Sequence, residues 1–185
     1  MTTFSYNLGL SSNSQGVSKA LNEIFGGKSP VICCIGTDAV SGDSLGPVVG
    51  TMLNRKLLGK TYIYGTLEHP ITAKDVYYAN RFISFVHPKV PVLAIDAGLG
   101  KREEVGTIKI AGVPIKPGLG VDKNLCEMGE ASIIAVVEEK AKKNLLSSVR
   151  LSSVYLLAKE ISDGILEYFE KYVEEKNYGV KIAKQ

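Results

Sequence analysis

The chain has 185 residues, 45% of them hydrophobic, and 22 basic against 19 acidic side chains leave a formal charge of +3. This suits one soluble globular domain with a substantial core. The basic residues are dispersed, which argues against a nucleic-acid partner, and no uncharged apolar stretch reaches membrane-spanning length, which argues against a membrane span.

The opening Met-Thr-Thr-Phe-Ser-Tyr-Asn lacks a basic segment followed by an apolar one, so no secretory leader is expected, and residues 1–11 read as a flexible polar leader. Val17, Leu21, Ile24 and Phe25 recur at helical spacing until Gly26-Gly27. Val31-Ile32-Cys33-Cys34-Ile35 is apolar throughout, as in a central strand covered on both faces. A glycine-containing turn holding Asp38 and Asp43 follows, then a helix through Val48, Val49, Met52, Leu53, Leu57 and Leu58 that ends near Gly59, with Pro47 in its first turn.

Tyr62 to Leu67 reads as the next strand, followed by a loop with His69 and a helix from about Thr72 to Val86 that His87 terminates. Val90 to Ile95 is a third strand, paired only after Pro91, and Asp96 closes it before a turn Ala97-Gly98-Leu99-Gly100. Gly106 to Val113 alternates as a strand and enters a breaker-rich loop. A helix containing Glu127 or Gly129 then begins, or Ala131 to Val137 is a buried strand; length alone leaves both open. A long amphipathic helix from Val149 to Glu175 closes the fold, and residues 177–185 read as a flexible tail. Lys140, Lys142 and Lys143, with Lys181 and Lys184, read as a solvated helix face and a frayed end. The alternation predicts an α/β fold, a three-layer α/β/α sandwich with a mostly parallel sheet, as a single domain over 1–185.

Cys33, Cys34 and Cys126 make neither a Cys-x-x-Cys pair nor a zinc ligand set with histidine. Cys33 and Cys34 should point to opposite faces of a buried strand as reduced core residues, which suggests a cytoplasmic setting.

The turn after the first central strand fits neither Gly-x-Gly-x-x-Gly nor a Gly-x-x-x-x-Gly-Lys-Ser/Thr phosphate loop, and its two acids would repel a pyrophosphate. Asp43 alone could be a helix N-cap, and Asp96 alone could accept backbone bonds from the turn after it. Together, at the carboxyl ends of strands, where open α/β sheets form their ligand crevice, they can share a proton and activate water, or hold a divalent cation. Asp38 would be a third, supporting acid. His69 is a candidate acid, base or ligand, although a histidine before proline in a loop commonly serves a turn.

Ile35-Gly36-Thr37-Asp38, Ser41-Gly42-Asp43-Ser44-Leu45-Gly46-Pro47, Tyr64-Gly65-Thr66-Leu67 and Ala94-Ile95-Asp96-Ala97 resemble the sporulation proteins of the YyaC type, which are related to the germination protease of spore-forming bacteria. The likeness to that protease rests on Asp43-Ser44-Leu45-Gly46-Pro47, Asp96-Ala97 and the loop Pro117-Gly118-Leu119-Gly120-Val121. It implies a phosphorylase/hydrolase-like fold with Asp43 and Asp96 catalytic and small acid-soluble spore proteins as substrates. Hydrogenase-maturation endopeptidases are similar at a greater distance; there acids at the first two sites, with a histidine, bind nickel during recognition, which places Asp43 among the ligands.

The expectation is a cytoplasmic, sporulation-associated peptidase acting on a peptide or small spore protein, with Asp43, Asp96 and Asp38 as site residues and no required cofactor. A non-catalytic peptide-binding protein of the same fold is the rival, and metal-dependent processing through Asp43, Asp96 and His69 is a third reading. A homo-oligomer is left open.

Overall fold

A computed structural model of the chain describes residues 3–7, 13–117, 126–140 and 146–174. The described residues form six strands, β1 (Thr3–Asn7), β2 (Val31–Cys34), β3 (Ile63–Tyr64), β4 (Val92–Gly100), β5 (Thr107–Ala111) and β6 (Ala131–Glu139). They also form four α-helices, α1 (Asn13–Phe25), α2 (Leu45–Asn54), α3 (Val76–Val86) and α4 (Leu151–Tyr168), the last continued by more widely wound turns over Phe169–Glu174.

The strands lie in one sheet of order β1-β5-β6-β4-β2-β3. β3, β2, β4 and β6 run parallel, whereas β5 and β1 are antiparallel additions. Alternate residues sort into two cores, as period-2 geometry requires. Ile32, Cys34, Leu93 and Ile95 pack with α1, α2 and α4. Val31, Cys33, Ile35 and Ala94 pack with Val76 and Ile83 of α3. The three-layer α/β/α arrangement and the opposite orientation of the two free cysteines match the sequence reading.

Several local expectations are corrected. Part of the supposed leader is β1, whose Phe4 and Tyr6 pack on the core while Thr107 donates its hydroxyl to Asn7 Oδ1 at 2.7 Å. Tyr62–Leu67 contributes only the two-residue β3, because Gly65 takes φ +85 and ends the strand. Ala131–Val137 is strand, and the helix considered at Glu127 or Gly129 does not form: Met128 pairs with Ile115 and Gly129 adopts φ +81. α3 starts at Val76, after a turn in which Asp75 Oδ2 accepts the Thr72 N–H and hydroxyl. Gly118 to Val121, Lys142, Lys143, Lys181, Lys184 and the tail 177–185 lie outside the described residues.

Candidate active site: a buried carboxylate pair

β2 ends where Ile35 donates to the Ile95 carbonyl at 2.8 Å, and the chain then turns at Gly36, whose φ is +138. A Cβ at Gly36 would lie 2.0 Å from the Asp43 carbonyl oxygen, and Thr37 N–H donates to that oxygen at 3.1 Å. The loop therefore closes on its own neck and returns Asp43 to the strand end. Asp43 sits in a 3-10 turn, Ser41–Ser44, held by the Ser44 hydroxyl on the Ser41 carbonyl (2.7 Å) and by Gly42 N–H on the Leu146 carbonyl (2.8 Å). Gly46 lets α2 begin against β2, since a Cβ there would stand 2.1 Å from the Ile35 carbonyl oxygen.

The N-cap reading of Asp43 is overturned. Ser44 occupies the N-cap position of α2 and makes no side-chain capping bond, while Asp43 lies within the preceding turn. Its half-buried carboxyl group has its pKa raised by burial, partly offset by the Thr37 N–H.

Asp96 is 7% exposed and sits inside β4, level with Ile134 of β6. The residues after it are not a turn: β4 continues to Gly100. Of the backbone bonds anticipated there, one forms, from Ala97 N–H to Asp96 Oδ1 at 2.8 Å. Burial pushes the Asp96 carboxyl well up, the negative charge of Asp43 pushes it further, and the Ala97 N–H opposes both. Burial likewise pushes the Cys33 thiol up to about 12, with Asp96 as the second cause. A carboxylate is costly to bury and costlier beside another, so burial and the neighbouring charge both favour the protonated form of Asp96, while half-buried Asp43 is raised by its own burial.

The remaining candidates fall outside this pair. Asp38 is exposed, and among the described residues nothing ties it to either acid. His69 is exposed in a loop closed by Thr66 N–H on its carbonyl (3.1 Å) and by its own N–H on the Thr66 hydroxyl (3.2 Å). Two residues on, Ile71 pairs with Ile35 and accepts the Gly36 N–H at 2.9 Å, so that loop borders the site. His87 ends α3 as expected, but it is buried with Nε2 2.7 Å from the Tyr64 hydroxyl. Among the described residues no cluster of three His, Cys, Asp or Glu side chains is placed to hold a metal ion. The sequence reading missed the packing glycines. A Cβ at Gly65 would lie 1.8 Å from the Cys34 carbonyl oxygen, and one at Gly50 would lie 2.1 Å from the Gly65 carbonyl oxygen. The glycine density of the quoted motifs was the available signal.

This topology defines an α/β fold built on one mixed six-stranded sheet. The [NiFe] hydrogenase maturation protease HycI from Thermococcus kodakarensis KOD1 superposes with a TM-score of 0.55, covering 82% of this chain and 99% of that one at 20% identity. At that identity the likeness is one of fold. The chain belongs to the family described as "Protein of unknown function (DUF1256)", whose profile matches residues 7–164. It is 38% identical over 141 residues to "Uncharacterized protein YyaC" of Bacillus subtilis (strain 168), covering 75% of this chain and 69% of that protein. No helix among the described residues is long and apolar enough to cross a membrane.

Proposed function

We propose that the protein is a hydrolase of peptide bonds that uses Asp43 and Asp96 as a proton-sharing pair. The observation that carries this reading is the convergence of two acids, 53 positions apart in sequence: Asp96 is buried, Asp43 is half-buried, burial raises both pKa values, and the Asp43 charge acts on Asp96. Such a pair performs both proton transfers that amide hydrolysis requires. Ionised Asp43 takes a proton from water as its oxygen bonds to the scissile carbonyl carbon. Asp96 donates its proton to the departing nitrogen as the C–N bond breaks, giving a carboxyl group and an amine.

The protease-like fold supports peptide as the substrate class. A cleft of about 480 Å3, lined by Leu99, Arg102, Glu104, Glu139 and Lys140 among others, opens further along β4 and offers room for an extended chain. The resemblance to sporulation proteins supports a cytoplasmic setting in the sporulating cell or spore.

The test is mass spectrometry of small acid-soluble spore proteins incubated with the wild type, Asp43→Asn and Asp96→Asn, each with and without added divalent metal. Cleavage by the wild type alone is expected. Undiminished cleavage by folded Asp43→Asn or Asp96→Asn overturns the pair, and cleavage only with added metal replaces it by metal-assisted hydrolysis. Saturable binding without product favours a peptide-binding protein that retains the fold.

A further inference from the structure

Between Val76 and Val86, α3 carries a single charged residue, Arg81, although only one side of the helix meets the core. A surface helix ordinarily sets charges opposite its buried face. Here that position holds aromatics: Phe85 is 85% exposed, Tyr78 73%, Phe82 55% and Tyr77 52%. Tyr78, Phe82 and Phe85 stand at i, i+4 and i+7, so they form one stripe with Val86 beside it.

The stripe leans over the open edge of the sheet. Phe82 meets Tyr64 of β3 edge to face with ring centroids 6.0 Å apart, and Tyr62, 63% exposed, lies 4.4 Å from the His87 ring. β3 is the last strand on this side. Ile32 N–H donates to the Tyr62 carbonyl at 3.0 Å, so by alternation Ile63 turns its own N–H and C=O outward, where they meet no backbone partner among the described residues.

We propose that this face is the interface of a homodimer, with a two-fold axis beside Ile63 that joins the two sheets across their β3 edges. In an antiparallel pair two directly opposed residues exchange both backbone hydrogen bonds, and Ile63 opposite Ile63 of a second copy satisfies that geometry with the symmetry of a closed dimer. That register sets Tyr62 opposite Tyr64 of the second copy, an aromatic cross-strand pair, and brings the two α3 stripes together above it.

The area fits this occupant. Aromatic side chains present roughly 150–250 Å2 each, so the exposed parts of Tyr62, Tyr78, Phe82 and Phe85 amount to about 550 Å2 per protomer. Val86, Tyr64 and the strand edge bring this toward the ~800 Å2 per partner of a standard specific interface. With Arg81 its one charge, the helix lacks the basic face that membrane-surface helices use.

Sedimentation equilibrium of the full chain tests the proposal, with unfolding temperatures as the control for folding. The wild type should sediment at twice the chain mass. Tyr78→Ser/Phe85→Ser should weaken association at least a hundredfold while remaining folded, because both side chains are mostly in solvent in the single chain. Ile63→Pro, which deletes the outward N–H and no bond to β2, should do the same, whereas Leu151→Ser/Tyr155→Ser, on exposed positions of α4, should leave the dimer intact. A monomeric wild type at 100 µM, with or without binding to anionic vesicles, overturns the proposal, as does a dimer that keeps its affinity in either interface variant.

Discussion

Asp96 is the residue at which burial and chemistry meet. Its folded pKa lies well above the unfolded reference of about 3.9, so the sign of its linkage is fixed. The contribution of this group to stability is full below the unfolded pKa and is lost as pH rises through the folded one. Asp96→Asn, which can still accept the Ala97 N–H, should therefore gain stability relative to the wild type as pH rises from 4 to 8. Melting curves across that range check it, and parallel profiles would contradict a raised pKa. Activity should follow the singly protonated pair: it falls on the acid side as Asp43 takes up a proton and on the alkaline side as Asp96 loses its own. In the wild type this gives a bell-shaped kcat/KM profile for cleavage of the spore proteins, and a pH-independent rate over the same range would refute it. Among the glycines, Gly46→Ala drives a methyl group toward the Ile35 carbonyl and should cost roughly 1–3 kcal/mol or more in denaturant unfolding, since backbone oxygen cannot rotate away.

At the scale of elements, the sheet ends on one side at β1, which covers the β5 edge, and on the other at β3. Thr3–Asn7 reads as polar when scanned for helical or continuous apolar runs, yet Phe4 and Tyr6 alternate with Thr3, Ser5 and Asn7, which is the period of a half-buried strand. Its partner β5 lies about a hundred residues away, and that distance hides the pairing from any local window. Deleting residues 1–7 should lower the unfolding temperature and promote aggregation measurable by light scattering, because it uncovers the β5 edge and the core beneath Phe4 and Tyr6. A deletion variant as stable and soluble as the full chain would show that β1 adds nothing. The motif after β2 was legible because its glycines and acids sit within one short segment. The role of Asp43 within it was not, since an aspartate ahead of a helix looks like a cap until the backbone shows that the helix begins after Ser44.

On the scale of the whole molecule, one sheet shared by two cores should make unfolding a single event. Ile133 is completely buried at the centre of β6, and Ile133→Ala should cost about 2–5 kcal/mol while near- and far-ultraviolet dichroism still change together. Separate transitions would divide the molecule into independent halves.

By itself the amino-acid sequence determined the alternation of strands and helices, the tight glycine turn after β2, the burial of Cys33 and Cys34 on opposite faces and the candidacy of Asp43 and Asp96. These follow from periodicity and from the residue types that turns demand, both of which act over a few positions. Only the tertiary structure decided that β4 lies between β2 and β6, that Asp96 loses its solvent beside Asp43, that Asp38 and His69 stay outside the pair, and that the aromatic side of α3 is left uncovered beside an open strand. Burial and charge proximity are properties of distant segments brought together, and no local pattern of residues encodes them.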